Sequence, residues 1–184
     1  MKYFKKAAGR AKCIFKCFSS RDKLLLARAF STFVRPLLEF SSVIWCPYYI
    51  NEIIKIEAVQ RAFTKSIGNL RLYTYHERLV ILKLDSLQCR RLKTDLIMCY
   101  KILYGMVDIN TSCFFKRSLY DSTRGNSLKL AKLQVVSERD KNFFTNRVIN
   151  IWNALPDTIV TSSSVSSFKR NITLINLSRY LLFY

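Results

Sequence analysis

The chain has 184 residues, with 31 Lys and Arg against 12 Asp and Glu, a formal charge of +19. Half its residues are hydrophobic and 14% aromatic, which excludes a disordered chain; four glycines and three prolines leave room for long elements and few loops. Such a charge repels itself in a folded chain and calls for a polyanion.

Nucleic acid is the first candidate polyanion and an anionic membrane surface the second. A third reading is a cationic fragment separated from its counter-charged partner. The length suits one domain or two small helical subdomains.

Residues 1–20 carry Lys2, Lys5, Lys6, Arg10, Lys12 and Lys16 and no acid. Phe4, Ala8, Ala11, Phe15 and Phe18 recur at helical spacing, predicting a basic amphipathic helix. Two readings stand side by side: a phosphate-tracking or membrane-surface helix, or a solvated face whose apolar side packs on residues 24–45. The acid-free start also matches a mitochondrial transit peptide, but it lacks the apolar run and cleavage site of a secretory signal.

Asp22 is placed to cap a second helix through Leu24, Leu25, Ala29, Phe30 and Phe33. Pro36 ends or kinks it, and Pro47 closes the next stretch, which reads as helix or strand. Leu24 to Trp45 is the most apolar region, but Arg28, Arg35, Glu39 and Pro36 interrupt it. No membrane span is expected, since one needs about 20 predominantly apolar residues.

Asn51 is the expected cap of a helix with Ile56, Val59, Phe63 and Ile67 on its buried stripe. Gly68 suits its end. Gln60, Arg61, Thr64 and Lys65 form the predicted polar face, and Glu57 can pair with Arg61 one turn on. Thr74 and Glu77 have capping-box spacing before a short helix over Leu79, Val80 and Leu82. Asp85 and Gln88 repeat that spacing before the longest helix. There Leu92, Leu96, Cys99 and Leu103 face the core, and Gly105 ends the helix. Arg90, Arg91 and Lys93 sit in its first turns, where a cation opposes the helix dipole and complements a phosphate.

The helical period fades from Asp108 to Gln134. Thr123-Arg124-Gly125-Asn126 is turn chemistry. Leu128, Leu130 and Leu133 alternate imperfectly with Lys129 and Lys132, predicting a strand or hairpin arm. Ser137 and Asp140 open a further helix, with Phe144, Val148, Ile151, Trp152 and Leu155 on one stripe. Asn146, Arg147, Asn150 and Asn153 form the other, and Pro156 ends it. Trp152, on the apolar stripe, reads as a core anchor. Ser163 or Ser164 caps a last helix through Val165, Phe168, Ile172 and Ile175, with Lys169 and Arg170 outside.

The expected fold class is therefore mainly α, a helical bundle with a short extended or hairpin segment near 123–136. Three segments are expected: basic helices and a thumb-like bundle at 1–105, an irregular connector at 106–136, and a helical pair with a tail at 137–184.

Six scattered cysteines, Cys13, Cys17, Cys46, Cys89, Cys99 and Cys113, do not form a disulfide framework. They read as buried structural thiols of a reducing compartment, nuclear or cytoplasmic rather than secreted. Cys13 and Cys17 share a helix face, but zinc would need two more ligands. No cofactor and no metal is expected.

A metal-dependent polymerase clusters carboxylates around two cations about 4 Å apart. Here the acids are dispersed and no Asp-Asp pair occurs. The glycines stand too far apart for a phosphate-cradling loop. The lone His76 precedes Glu77 at a helix start, which suits a surface or capping role. No catalytic constellation is expected.

Four blocks carry a resemblance: FVRPLLEFSSVIWCPY at 33–48, the run from Ile53 to Gly105, TRGNSLKL at 123–130, and FFTNRVINIWNALPDTIVTSSSVSSFKR at 143–170. In order and spacing they resemble the C-terminal region of reverse transcriptases of jockey-like non-LTR retrotransposons. The matching positions are Arg35-Pro36, Trp45, Pro47, Gln60-Arg61, Arg90-Arg91, Arg124-Gly125, Trp152-Asn153, Leu155-Pro156 and Phe168-Lys169. Asn126 stands where the family often has His.

The resemblance implies a parent RNA-directed DNA polymerase whose catalytic Asp pair and endonuclease lie upstream of the matching region. It implies no catalysis by this chain. The expected function is a non-catalytic tail that binds RNA or DNA backbone beside the upstream polymerase domain. Its expected contacts are Arg61, Lys65, Arg90, Arg91, Lys93, Arg124, Lys129, Lys132, Arg147, Lys169 and Arg170. The alternatives are a scaffold packing on the polymerase thumb, or a degenerate element copy.

Overall fold

A computed structural model describes residues 2–118, 126–132 and 134–182. Among them the chain is mainly helical, with eleven α-helices and two short 3-10 turns. The only β pairing among the described residues is an isolated antiparallel bridge between Arg117 and Leu130. Two backbone bonds flank it, Ser118 N to Lys129 O at 2.9 Å and Ala131 N to Lys116 O at 2.8 Å. The pairing meets the expected 123–136 segment only around Leu130, and no strand forms among the described residues. The turn residues Thr123, Arg124 and Gly125 lie outside the described residues.

The chain forms two compact units. The first comprises Met1–Ser41, Pro47–Arg90 and Leu182–Tyr184; the second comprises Ser42–Cys46 and Arg91–Leu181. The expected 1–105 segment is thus divided between them.

The first unit holds α1 (Lys2–Cys17), α2 (Lys23–Phe33), α3 (Arg35–Glu39), α4 (Ile50–Lys65) and α5 (Tyr75–Leu82). Helix α1 packs on α2, α3 and α4. Its buried stripe is Ala7, Ala11 and Ile14, spaced 4 and 3 apart, with Phe4, Phe15 and Phe18 half-buried beside it. Phe63 of α4 meets Phe15 and Phe30, with ring centroids 4.9 and 4.7 Å away. Asp22 caps α2 as expected, its carboxylate accepting from Leu25 N at 2.7 Å. Pro36 ends one helix and starts another: it occupies the first turn of α3, where its missing N–H costs nothing.

The stripe Ile56, Val59, Phe63 and Ile67 is buried as expected. The polar face of α4 is not solvated as expected: Gln60 and Thr64 are buried, and so is Glu57. Glu57 does not serve as a surface partner of Arg61. Its carboxylate accepts from Leu87 N at 3.1 Å and Gln88 N at 3.3 Å, at the start of α6 (Leu87–Leu103), and from the Tyr75 hydroxyl. Each such buried donor is worth about 1–3 kcal/mol if left without an acceptor. Burial and the adjacent Glu57 push the Tyr75 hydroxyl pKa up, so it stays a donor.

Two caps differ from expectation. Helix α4 starts at Ile50 after Tyr49, whose carbonyl accepts from Glu52 N and Ile53 N; Asn51 lies inside the helix. Ser86, not Asp85, caps α6: its hydroxyl accepts from Cys89 N at 3.1 Å, while Gln60 takes the Asp85 carbonyl. The capping box of Thr74 and Glu77 on α5 is present in both directions.

The second unit begins with most of α6. Leu96, Cys99, Tyr100 and Ile102 are fully buried, while Leu92 and Leu103 are half-buried. Gly105, at φ +63°, ends α6: Gly105 N bonds Ile102 O and Met106 N bonds Lys101 O, a Schellman motif. Then follow α7 (Thr111–Phe114), α8 (Glu138–Lys141), α9 (Phe144–Asn153), α10 (Asp157–Val160) and α11 (Val165–Thr173).

The helix expected from Ser137 to Leu155 is two helices. Asn142 and Phe143 separate α8 from α9, and the Asn142 and Asn146 amides donate to the Glu138 and Asp140 carbonyls instead of leaving the backbone to itself. Trp152 is the core anchor, fully buried, its indole N–H donating to Leu128 O at 2.8 Å. Ser164 caps α11.

The cysteines do not all match buried structural thiols. Cys99 is buried, Cys46 and Cys89 are half-buried, and Cys13, Cys17 and Cys113 are exposed. The first two point out because the buried stripe of α1 falls on Ala7, Ala11 and Ile14.

Two exposed carboxylates carry an acid-side prediction. Hydrogen bonds from Thr74 hold Glu77 below its usual 4.5, and bonds from the Ser127 amide and hydroxyl hold Asp157 below 3.8. A depressed folded-state pKa stabilises the fold above the unfolded value and loses that contribution as pH falls through the folded one. Unfolding midpoints measured from pH 6 downward should therefore drop below about pH 4.5. Glu77→Gln and Asp157→Asn should flatten that drop; an unchanged acid limb would refute the assignment.

Candidate nucleic-acid interface

Cations open to a polyanion are those whose donors the fold has not already engaged. Helix α1 supplies the densest set. Lys5, Lys6, Arg10, Lys12 and Lys16 are exposed; Lys5, Lys12 and Lys16 lie opposite Ala7, Ala11 and Ile14, with Lys6 and Arg10 on the flank. The helix contains no acid. Arg10 reaches the Phe33 carbonyl with one nitrogen at 3.3 Å. Gly9 lies among these side chains, and nothing is within 4 Å of where a Cβ would stand, so the backbone itself can be approached closely. None of these residues is among the eleven expected contacts, although the acid-free run from Met1 to Arg21 was the signal for them.

The expected contacts divide by environment. In the first unit Lys65, at the end of α4, is exposed. Arg61 is half-buried with its guanidinium 4.8 Å from the Tyr75 ring centroid. Arg90 forks onto Glu39 with bonds of 2.5 and 3.0 Å. Burial pulls the Arg90 pKa down, but the hydrogen bonds and charge of Glu39 outweigh it and hold the guanidinium above its usual value. Arg35 shares Glu39 at 3.8 Å.

In the second unit Arg91 is buried, 5.6 Å from the Trp45 ring centroid. Arg147 chelates Asp95 at 2.8 and 2.9 Å and donates to the Asn142 and Val43 carbonyls. Its position on the polar stripe of α9 suggests a surface cation, but its guanidinium turns onto a buried carboxylate. Burial raises the Asp95 pKa against the pull of Arg147. Lys93 and Lys129 are half-buried, whereas Lys132, Lys169 and Arg170 are exposed. Arg124 lies outside the described residues.

Lys169 and Arg170 follow from the fold of α11: Phe168 and Ile172 are buried, so the intervening positions turn outward. Asn126, at the position where the jockey-like elements often have His, is buried and architectural. Its amide donates to the Trp152 and Leu155 carbonyls at 2.9 and 3.1 Å, and its oxygen accepts from Leu128 N. Among the described residues no three His, Cys, Asp or Glu side chains gather as metal ligands, and no helix is long and apolar enough to cross a membrane.

The two kinds of arginine separate by mutation. Arg147→Ala strands a buried Asp95 and should cost about 3–5 kcal/mol in chemical denaturation, whereas Lys169→Ala should stay within about 0.5 kcal/mol. Equal effects would refute the division. No protein-family model, curated protein or solved structure matches this chain.

Proposed function

We propose that this chain is the non-catalytic C-terminal part of a retrotransposon reverse transcriptase and that it holds RNA or DNA by the phosphate backbone. The observation that carries the binding half of the reading is the face of α1: exposed cations, no acid, and an opposite side occupied by the core. The exposed donors of this face are lysines and one arginine, which meet phosphates through charge. Binding is then electrostatic and sequence-tolerant. Lys65 adds to it in the first unit, and Lys132, Lys169 and Arg170 provide cations in the second. The lineage half rests on the resemblance of residues 33–48, 53–105, 123–130 and 143–170 to jockey-like elements. It assigns catalysis to an upstream polymerase domain, which this chain assists during target-primed synthesis.

The scaffold reading has its own support. Phe40 and Leu72 in the first unit, and Ile44, Val136 and Leu174 in the second, are 77% to 97% exposed. Large apolar side chains so open suit a partner surface, the polymerase thumb being the natural one.

Fluorescence anisotropy with a labelled single-stranded RNA and a DNA duplex decides between them. Affinity should fall by about 10³–10⁵ between 50 and 200 mM salt if six to ten phosphates are contacted. A Lys5→Ala, Lys12→Ala, Lys16→Ala triple variant should lower the log–log salt slope by roughly 3, about one per lysine. Salt-insensitive binding, or none at 50 mM, would overturn the reading. Poor solubility cured only by adding the upstream polymerase domain would favour the scaffold.

A further inference from the structure

A cavity in the second unit has a different character from the cationic faces. It encloses about 100 Å³ and is lined by Leu103, Tyr104, Arg117, Leu128 and Leu130. Pockets for whole drug-sized ligands run from about 300 to 1,000 Å³, so this one admits a single ring rather than a complete nucleotide. Three leucines, one tyrosine and one arginine line it.

The tyrosine is held as a platform. Tyr104 stacks on Tyr100 with centroids 4.4 Å apart, and Tyr100 stacks in turn on Phe168, again at 4.4 Å. The two inner rings are fully buried, while Tyr104 keeps 40% of its surface exposed. Its hydroxyl donates to Val160 O at 2.8 Å, which fixes the ring and uses its one proton.

The other walls are equally fixed. Leu128 O accepts from the Trp152 indole at 2.8 Å. The Asn153 side chain brackets Leu130, accepting from its N–H at 2.8 Å and donating to its carbonyl at 2.9 Å. Arg117 is the bridge partner of Leu130, and its side chain is exposed. Leu128, Leu130 and the Arg117 backbone are thereby held in place beside the ring.

We propose that this cavity receives one unpaired base of single-stranded RNA or DNA, stacked against Tyr104, with Arg117 on the adjoining phosphate. An open aromatic at the end of a rigid stack, beside a cation, is the arrangement that holds single strands without reading sequence. The inference rests on the nucleic-acid reading above and narrows it to strands with exposed bases. It also assigns a role to two residues, Tyr104 and Arg117, outside the phosphate-contact set. A fully paired duplex keeps its bases in the stack and cannot fill the cavity.

The test uses the full chain and three fluorescein-labelled probes: a short oligothymidylate, an abasic deoxyribose-phosphate oligomer of the same length, and a duplex. At fixed salt the chain should bind the base-bearing strand about 5- to 150-fold more tightly than the abasic one, the span expected for one stacked base. Tyr104→Leu should erase most of that preference, while Tyr104→Phe, which keeps the ring but loses the bond to Val160, should retain it. Arg117→Ala should weaken both strands alike and lower the salt slope by about 1. Equal affinity for abasic and base-bearing strands overturns the stacking cavity and leaves backbone binding standing. A preference that survives Tyr104→Leu overturns it too, as does an unchanged slope in Arg117→Ala. Binding of no probe at 50 mM salt overturns both readings together.

Discussion

Carboxylates are the scarce resource of this molecule, and their placement organises everything else. There are 12 for 31 cations, and several are engaged in the fold's own joints. Asp22 caps α2, and Glu77 closes a capping box on α5. Glu57 receives the first amides of α6, Glu39 holds Arg90, Asp95 holds Arg147, and Asp157 holds Ser127. A helix start is where a carboxylate is worth most, because the dipole and the orphan N–H groups both favour an anion there. Acids spent on caps and buried pairs cannot neutralise α1 or the outer side of α11. Composition sets the excess of positive charge, and the placement of these acids decides which faces are left to carry it.

Each unit has its own polar keystone inside an apolar core. In the first, Glu57 ties α4 to the start of α6, with Tyr75 and Gln60 completing the network. In the second, Arg147 joins Asp95 on α6 to the carbonyl of Val43, a residue of the short stretch Ser42–Cys46. Such groups are costly to bury and more costly to orphan, so they fix one arrangement of helices rather than adding much net stability. The aromatic stack of Phe168, Tyr100 and Tyr104 runs outward from the second core. It links packing to the surface through contacts that are stiff by geometry.

Much of the helical fold could be read from period and punctuation. The stripe of α4, the capping box of α5, the Gly105 stop, the Trp152 anchor and the serine cap of α11 all lie where spacing put them. What escaped were the places where a polar residue turns inward. Gln60, Thr64 and Arg147 occupy faces that a period marks as polar, and polarity in a sequence does not distinguish water from a buried partner. Their partners lie far along the chain: Asp85 O is 25 residues from Gln60 and Asp95 is 52 from Arg147. No local pattern encodes such pairings. The break at Asn142 was hidden for a related reason, since a short amide side chain can take the backbone's place at little local signal. The candidate contacts divided the same way. Lys169 and Arg170 flank a buried Phe168 and were legible, whereas Arg90 and Arg91 sit in the same helix turn as neighbours and meet different fates, one on Glu39 and one buried near Trp45.

The outward-facing cysteines of α1 have a practical meaning. Cys13 and Cys17 stand one turn apart among Lys12, Lys16 and Arg10, while Cys113 is exposed in the other unit. A strand lying along α1 covers the first two thiols. The unaltered chain thus carries a footprinting pair for that face, readable by alkylation and mass spectrometry with no label or engineered residue.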